Sequence, residues 1–233
     1  MRQPKAHERT SESTVSHVLR DALLLVLPPF GAALLALAAR HDDLYRFLVR
    51  EDSLLEWTQV VTYLSVIALA IVAAPRLSRA EDRASAVVVI GLAVVALVSA
   101  GEELSWGQRL FDFTTPDLLA DNRQGESTLH NDAKLEVPTR VALLMAGLYG
   151  TVAPLVIRRL TPFVPPRTVI TLFAVVATYF GIRLLFLTHP TYVEAKYSEW
   201  AEFCFAAGIA WWCAERSRVM VEKPKTRSAQ TSA

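Results

Sequence analysis

This sequence is poor in cysteine and in charge of either sign. Only 2 of its 233 residues are cysteine, which excludes a disulfide-linked scaffold. Lys and Arg number 24 against 23 Asp and Glu, a formal net charge of +1, so the basic surplus of a nucleic-acid-binding protein is missing. Charged residues make up 20% of the chain, fewer than a soluble domain usually carries. We therefore expect no nucleic acid among its partners, and neither a soluble nor a disordered protein.

The sequence also lacks the short motifs of nucleotide-driven proteins and of common zinc enzymes. It contains no G-x-x-x-x-G-K-[ST] phosphate loop, no G-x-G-x-x-G fingerprint and no H-E-x-x-H motif. We therefore expect neither an ATP-driven pump nor a dinucleotide-dependent enzyme.

Apolar residues, by contrast, are abundant and occur in long runs. They make up 52% of the chain, and the mean hydropathy is +0.30. A helix that crosses a bilayer needs about 17–25 mostly apolar residues. Six stretches come close to this length: Leu23–Ala39, Leu54–Ala74, Ser85–Leu104, Val141–Ile157, Thr168–Leu187 and Glu199–Ala214. The sequence therefore predicts an all-α, polytopic membrane protein with six transmembrane helices, whose first partner is the lipid bilayer.

The runs are continuous rather than alternating, which favours helices over barrel strands. Pro28 and Pro29 lie in the first run and predict a kink there, with neighbouring helices covering the freed carbonyls. Ala36–Ala38 resembles a signal-peptide cleavage site, but the polar stretch before this run is long for such a leader. We therefore expect the first helix to be retained. The segment Asp42–Arg50 predicts a short amphipathic helix on the outer surface, with Leu44, Phe47 and Leu48 in contact with lipid.

The distribution of basic residues predicts the orientation of the six helices. An even number of spans places both ends of the chain on one side, and that side carries 15 of the 24 Lys and Arg residues. Basic residues are enriched on the cytoplasmic side of membrane proteins. We therefore predict a multi-pass protein of the cell (inner) membrane with both termini in the cytoplasm. The predicted divisions are a disordered N-terminus (1–20), a transmembrane domain (21–215) with an outer cap (105–140), and a disordered basic tail (216–233).

Polar residues within or beside the spans collect at one predicted end, the outer one. Ionisable groups in spans cost free energy and are by default a sign of function. The groups at this end are Glu56, Gln59, Glu102, Glu103, Arg183, His189, Glu199 and Glu202. Their shared depth on several helices predicts a common site.

The densest polar segment lies where the third span meets the long outer loop. It reads GEELSWGQRL at 101–110 and DNRQGESTLHN at 121–131. If the third helix continues past Gly101, one face carries Glu102, Ser105, Trp106 and Arg109, with Glu103 on the neighbouring face. Glu126 and His130 are four residues apart and point to one centre if their segment is helical. A loop of roughly 35 residues in a compact bundle is often functional.

These strings resemble a family of uncharacterised multi-pass bacterial inner-membrane proteins. The resemblance is carried by GEELSWGQR, by the later GESTLHN and by the dipeptide Glu56–Trp57, about thirty residues in all. It implies a shared fold and a shared site, but it supplies no activity.

Three chemical interpretations of the polar residues remain open. In the first, Glu102, Glu126 and His130, with Glu56 and Glu202, bind Zn, Mn or Fe and activate a water. In the second, Ser105 is a nucleophile and His130 its base. In the third, Arg109 and Arg183 pair with the carboxylates and only hold helix ends together.

We rank three functions on this basis. The first is a membrane-embedded hydrolase or transferase for a lipid or lipid-linked substrate at the outer leaflet, with Glu102, Glu103, Ser105, Arg109, Glu126 and His130 as its catalytic residues. The second is a non-catalytic accessory or assembly protein. The third is a small transporter, which nearly pure aliphatic midplane stretches disfavour. The sequence predicts no substrate, reaction type or oligomeric state.

Overall fold

The structure is a computed structural model of the chain. It describes residues 6–50, 53–111, 128, 134–157, 161–187 and 189–222, of which 6–19, 109, 110 and 219–222 are described by their backbone alone. The longer helices are α1 (Ala6–Ala38), α3 (Leu54–Arg79), α4 (Arg83–Glu103), α6 (Glu136–Val156), α7 (Ile170–Leu185) and α9 (Ser198–Glu222). The short ones are α2 (Asp42–Val49), α5 (Gln108–Phe111) and α8 (Tyr192–Lys196), and two 3₁₀ turns span Ser105–Gly107 and Arg167–Val169.

Five helices are long and apolar enough to cross a membrane. They are Arg20–Ala38 of α1, the stretch Asp42–Arg79 that contains α3, Arg83–Glu103, Glu136–Val156 and Arg167–Leu185. Between 17% and 39% of the most apolar part of each is buried inside the protein, so most of these apolar side chains face outward. Outward apolar surface on this scale is typical of helices in contact with lipid. The chain is therefore an all-α, polytopic membrane protein.

The sixth predicted span corresponds to α9, which is not among these five helices. This helix packs against α1, α3, α4, α7 and α8, and no residue from Ser198 to Ser217 is exposed. A helix that is surrounded by other helices does not need an apolar surface on every side. Its position explains how α9 carries Glu199, Glu202 and Glu215, which lower its mean hydropathy.

The core lies where α3, α4, α7 and α9 meet, and it is built from small and branched apolar side chains. Val66, Ala96 and Ala206 have at most 1% of their surface exposed. On the other side of α7, glycine allows α6 to approach closely. A Cβ at Gly147 would lie 2.5 Å from the Ala177 nitrogen, and one at Gly150 would lie 2.1 Å from the Phe173 ring. Such small-residue contacts are typical of helix pairs in membranes.

The two prolines of α1 illustrate how this bundle satisfies its backbone. Pro28 has no N–H, so the Leu24 carbonyl loses its helical hydrogen bond. The Thr171 hydroxyl of α7 donates to that carbonyl at 2.7 Å. A neighbouring helix thus covers a freed carbonyl, as the sequence predicted.

Helix α2 forms as expected, but the side that packs on the bundle was not predicted. Tyr45 and Val49 are buried, and the Tyr45 hydroxyl donates to the Val193 carbonyl at 2.8 Å. Leu44 and Phe47 are exposed, in keeping with their predicted contact with lipid. Leu48, predicted to contact lipid with them, is instead half-buried and packs against the buried group around Tyr45.

Two helix ends differ from the predicted divisions. α1 begins at Ala6, inside the N-terminus predicted to be disordered, and α9 continues to Glu222, past the predicted end of the transmembrane domain. Hydropathy marks the part of a helix that suits the membrane and does not mark where the helix itself begins or ends.

Candidate functional site

Four glutamates lie together at one end of the bundle, and we call them the carboxylate cluster: Glu56, Glu103, Glu199 and Glu202. Glu56 is in the first turn of α3, Glu103 is the last residue of α4, and Glu199 and Glu202 are in the first two turns of α9. These three helices pack directly against one another. Since α4 runs antiparallel to α3 and α9, its last residue meets their first turns.

A helix cap fixes the position of Glu56. Ser53 is the N-cap of α3, and its hydroxyl accepts a hydrogen bond from the Glu56 backbone N–H at 3.3 Å. Ser53 and Glu56 are both buried, with 2% and 9% of their surface exposed. An N-cap of this type holds the first turn in place, and a carboxylate in that turn is favoured by the helix dipole.

Gln59 links α3 to α9 one turn further along. Its side chain is fully buried, and Nε2 donates to the Glu199 carbonyl at 3.0 Å. Its Oε1 atom accepts no hydrogen bond from the residues that the structure describes. Tyr63, the next residue on this face of α3, is also buried. A row of polar groups thus follows the α3 side of the cluster into the core.

Lys196 contributes a positive charge to the cluster. Its Nζ atom lies 3.0 Å from Glu199 Oε1, and both side chains are largely buried. Burial alone would lower the pKa of the Lys196 ammonium, but the charge and hydrogen bond of Glu199 raise that pKa above its ordinary value. The ammonium is therefore retained at neutral pH. It ties α8 to the start of α9.

The position of α8 depends on a cap of its own. The Thr191 hydroxyl accepts from the Glu194 backbone N–H, and Glu194 Oε2 accepts from the Thr191 N–H at 2.7 Å. This reciprocal pair is a capping box. The hydrogen bond from the Thr191 backbone N–H, and secondly the one from its hydroxyl, hold the pKa of the Glu194 carboxyl below its ordinary value.

Glu103 lies within the electrostatic influence of the other three members of the cluster. The charged groups that act on it through space are Glu202, Glu199 and Glu56, in decreasing order, and then Lys196. Like charges gathered in a poorly solvated place favour proton sharing among the carboxyls. Carboxyls that share protons are able to give and take them, which is the basis of acid/base chemistry.

The chain turns sharply after the cluster, directly after Leu104, the predicted end of the third span. Ser105, Trp106 and Gly107 have φ angles of 48°, 52° and 87°. Left-handed backbone costs a residue with a side chain about 1–2 kcal/mol, so two such residues in succession are unusual. The helical face of Glu102, Ser105, Trp106 and Arg109, which required the helix to continue, does not form, because α4 ends at Glu103. Residues in such unfavourable backbone conformations are found most often at functional sites.

The turn instead folds Trp106 back onto the end of α4. Trp106 Nε1 donates to Glu102 Oε1 at 2.6 Å, and its ring lies against Gly101, where a Cβ would come within 2.9 Å. Ser105 is fully buried. The acidic pair is therefore divided, since Glu102 binds the indole while Glu103 joins the cluster.

The structure describes only some of the other predicted site residues. Arg109 lies in α5, where the backbone alone is described, and Glu126 and His130 lie outside the described residues. The predicted nucleophile pair of Ser105 and His130 is therefore still a prediction. Most of the predicted outer cap is likewise not described, but Thr128 within it is buried, with 1% of its surface exposed.

A metal site is not complete within the described part of the chain. There, no group of three or more His, Cys, Asp or Glu side chains is arranged to hold a metal ion. Two of the predicted ligands, Glu56 and Glu202, do belong to the cluster. His189 is exposed on the outer connection, and Arg183 donates to the Leu187 carbonyl at the end of α7.

Sequence reasoning missed Lys196 and Tyr63 as parts of this site. Lys196 carries a signal in its spacing, since it lies three residues before Glu199 and such pairs meet on one side of a helix. Tyr63 carries the same kind of signal, because it follows Gln59 by four residues.

Comparison with known proteins adds no assignment to this geometry. No protein-family model matches the chain, and neither the curated proteins nor the solved structures include a significantly similar one.

Proposed function

We propose that this protein is a membrane-embedded enzyme, a hydrolase or transferase that acts on a lipid or lipid-linked substrate at the outer leaflet. The observation that carries the proposal is the gathering of Glu103, Glu202, Glu199 and Glu56 from three helices at one end of the bundle. Paired carboxyls that exchange protons serve as general acid and general base.

The cluster lies where a lipid headgroup reaches. Its members are at helix ends, and Trp57 and Trp106 beside them are about half exposed. Tryptophan is enriched where a protein meets the membrane–water interface. This placement supports a substrate that is held in the bilayer by its acyl chains.

In our proposal, Glu103 and Glu202 exchange the proton of the reaction, and Glu56 and Glu199 set the charge around them. Lys196 holds Glu199 in place. A metal-dependent form of the reaction would also use Glu126 and His130, with Zn, Mn or Fe as the ion that activates water.

The enzyme proposal is tested by lipid turnover in membranes that contain the purified protein. The products are followed by mass spectrometry in lipid extracts with ester- and amide-linked substrates. We expect Glu103→Gln to lower turnover by about 10²–10⁴-fold, because it removes a proton-exchanging group and keeps the shape. The matched control is Asp42→Asn, an exposed carboxylate on α2 with 74% of its side chain accessible. Equal turnover by Glu103→Gln and the unaltered protein would reject the proposal.

Metal content separates the two forms of the proposal. Mass spectrometry of the purified protein would find Zn, Mn or Fe in the metal-dependent form and a loss of that metal in the Glu126→Ala/His130→Ala variant. Turnover without bound metal in either sample would support the form of the proposal that uses the carboxylates without a metal.

A non-catalytic accessory role is the second candidate. The Lys196–Glu199 ion pair and the Gln59–Glu199 hydrogen bond favour it, because both tie helices together without any reaction. A transporter has less support, since the core beyond the cluster is filled by packed apolar side chains such as Val66, Ala96 and Cys204.

The placement in the membrane is part of the same proposal. α9 makes the sixth crossing, protected from lipid by its neighbours. Both termini then lie in the cytoplasm, where the basic residues of the connections are concentrated, and the membrane is a bacterial inner membrane.

A further inference from the structure

We infer that the carboxylate cluster binds a primary ammonium group, of the kind carried by the headgroup of an aminophospholipid. The inference rests on the proposed function, in which a lipid reaches the cluster from the outer leaflet, and it names the chemical class of that lipid. Three observations support it: a buried acceptor that receives no hydrogen bond from the described residues, the groups around that acceptor, and the way the cluster already holds one ammonium.

The acceptor is Gln59 Oε1. The side chain is fully buried, and its amide orientation is fixed because Nε2 must face the Glu199 carbonyl, an acceptor, at 3.0 Å. Oε1 therefore belongs to an amide that lies against the Glu199 backbone, one turn along α3 from Glu56. None of the described residues donates to it. A buried acceptor without a donor costs about 1–3 kcal/mol, so the position calls for a ligand that donates hydrogen bonds.

The groups around this acceptor are carboxylates and a hydroxyl, whose oxygens are also able to accept hydrogen bonds. Glu56 and Tyr63 flank Gln59 on the same buried face of α3, three and four residues away. Glu103 approaches from α4, under the charge of Glu202 and Glu199. A compact cation with several N–H donors is complementary to such a set, because hydrogen bonds between an ammonium and a carboxylate are among the strongest in proteins.

The protein itself shows that the cluster accommodates a primary ammonium. Lys196 Nζ sits 3.0 Å from Glu199 Oε1, in a place where both side chains are largely shielded from solvent. This ammonium comes from the α8 side of Glu199. Gln59 faces the backbone of the same residue from the α3 side, so a second ammonium would be held between Gln59 and Glu103.

The depth of the cluster suits a headgroup rather than an acyl chain. Glu56 is two residues from the start of α3, and Gln59 is three residues deeper, or about 4.5 Å along the helix. A short ethanolamine arm spans such a distance while its phosphate stays at the level of the helix ends.

The test compares two lipids that differ only in their amine. The purified full-length protein is equilibrated with equal amounts of phosphatidylethanolamine and phosphatidylcholine of the same acyl chains. Bound lipid is then identified by native mass spectrometry. Both headgroups carry the same positive charge, but the quaternary ammonium of choline has no N–H. We expect phosphatidylethanolamine to be enriched about tenfold, which corresponds to one charge-assisted hydrogen bond.

Variants locate the preference. Gln59→Leu and Glu103→Gln should each bring the ratio of the two bound lipids close to one. Thr58→Val is the matched control, because the Thr58 hydroxyl bonds the Leu54 carbonyl of its own helix, at 2.6 Å. The ratio is measured within the folded protein of each sample, so a loss of stability in Gln59→Leu does not imitate the expected result.

Equal binding of the two lipids, or a preference that survives in both variants, would overturn the inference. Competition by ethylammonium but not by tetramethylammonium would show that the amine alone suffices, and enrichment without such competition would show that the whole headgroup is needed. Both results support an ammonium site. If the protein prefers phosphatidylethanolamine but turns over neither lipid, only the enzyme proposal is rejected. If it binds both lipids equally and turns both over equally, only the present inference is rejected.

Discussion

The hydrogen bond that compensates Pro28 lends itself to a double-mutant cycle. Thr171→Val removes the hydroxyl that donates to the Leu24 carbonyl at 2.7 Å and keeps the shape of the side chain. The carbonyl is then left without a donor, since Pro28 cannot supply one. Pro28→Ala restores the missing N–H, so the Leu24 carbonyl regains a helical hydrogen bond. The two substitutions should therefore be coupled.

The size of this coupling follows from known values for helical membrane proteins. Side-chain hydrogen bonds between membrane helices contribute about 0.6 kcal/mol on average and about 1.7 at most. The Thr171–Leu24 bond should lie near the upper end, because Pro28 leaves that carbonyl without a competing helical donor. We expect Thr171→Val to lower the free energy of unfolding by about 1–1.5 kcal/mol, or the melting temperature by roughly 2–6 °C. In the Pro28→Ala background the same change should cost less than about 0.5 kcal/mol.

The assay is reversible unfolding of the four proteins of the cycle in detergent, followed by tryptophan fluorescence. Thr151→Val is the control, because the Thr151 hydroxyl bonds the Gly147 carbonyl within its own helix and should show no coupling to Pro28. Equal costs of Thr171→Val with and without Pro28 would refute the reasoning.

Two further predictions concern packing and pH. Gly150→Ala should separate α6 from α7 and lower the free energy of unfolding by about 1–3 kcal/mol, because its Cβ would fall 2.1 Å from the Phe173 ring. Gly91→Ala has nothing within 4 Å of its new Cβ and should not destabilise the protein, so similar melting temperatures for the two variants would contradict this account. The hydrogen bonds of Thr191 lower the pKa of Glu194. The contribution of the Glu194 carboxylate to the stability of α8 is therefore present above the ordinary glutamate pKa, and it is lost as the pH falls through the depressed pKa. Hydrogen exchange of the α8 amides should show this acid-induced loss in the unaltered protein and not in Glu194→Gln.

Much of the fold could be predicted because the bilayer imposes a length on each apolar run. The run predicted to begin at Leu54 is a helix that begins at that residue, and the run predicted at Ser85–Leu104 is a helix at Arg83–Glu103. The central position of α9 could not be predicted in the same way. Hydropathy describes one helix at a time, whereas the packing order depends on which faces fit together.

The site was predictable in part, for a related reason. Antiparallel helices fix which ends meet, so the positions of Glu56, Glu103 and Glu199 along their apolar runs were enough to place them at one end of the bundle. The division of the acidic pair Glu102–Glu103 could not be predicted, because it depends on the left-handed turn at Ser105 and Trp106. These residue types do not predict positive φ angles, which are rare for serine and tryptophan.

The central position of α9 also has a consequence for biosynthesis. Its partner α3 is made much earlier, and 140 residues separate Gln59 from its acceptor Glu199. Until α9 leaves the ribosome, the surfaces of α3, α4 and α7 that it covers have no partner within the chain. Closing so long a loop is slow, and partly assembled intermediates expose such surfaces to aggregation. The core and the carboxylate cluster are therefore incomplete until α9 docks. A substitution that slows this docking would reduce the yield of protein before it affected any property of the finished molecule.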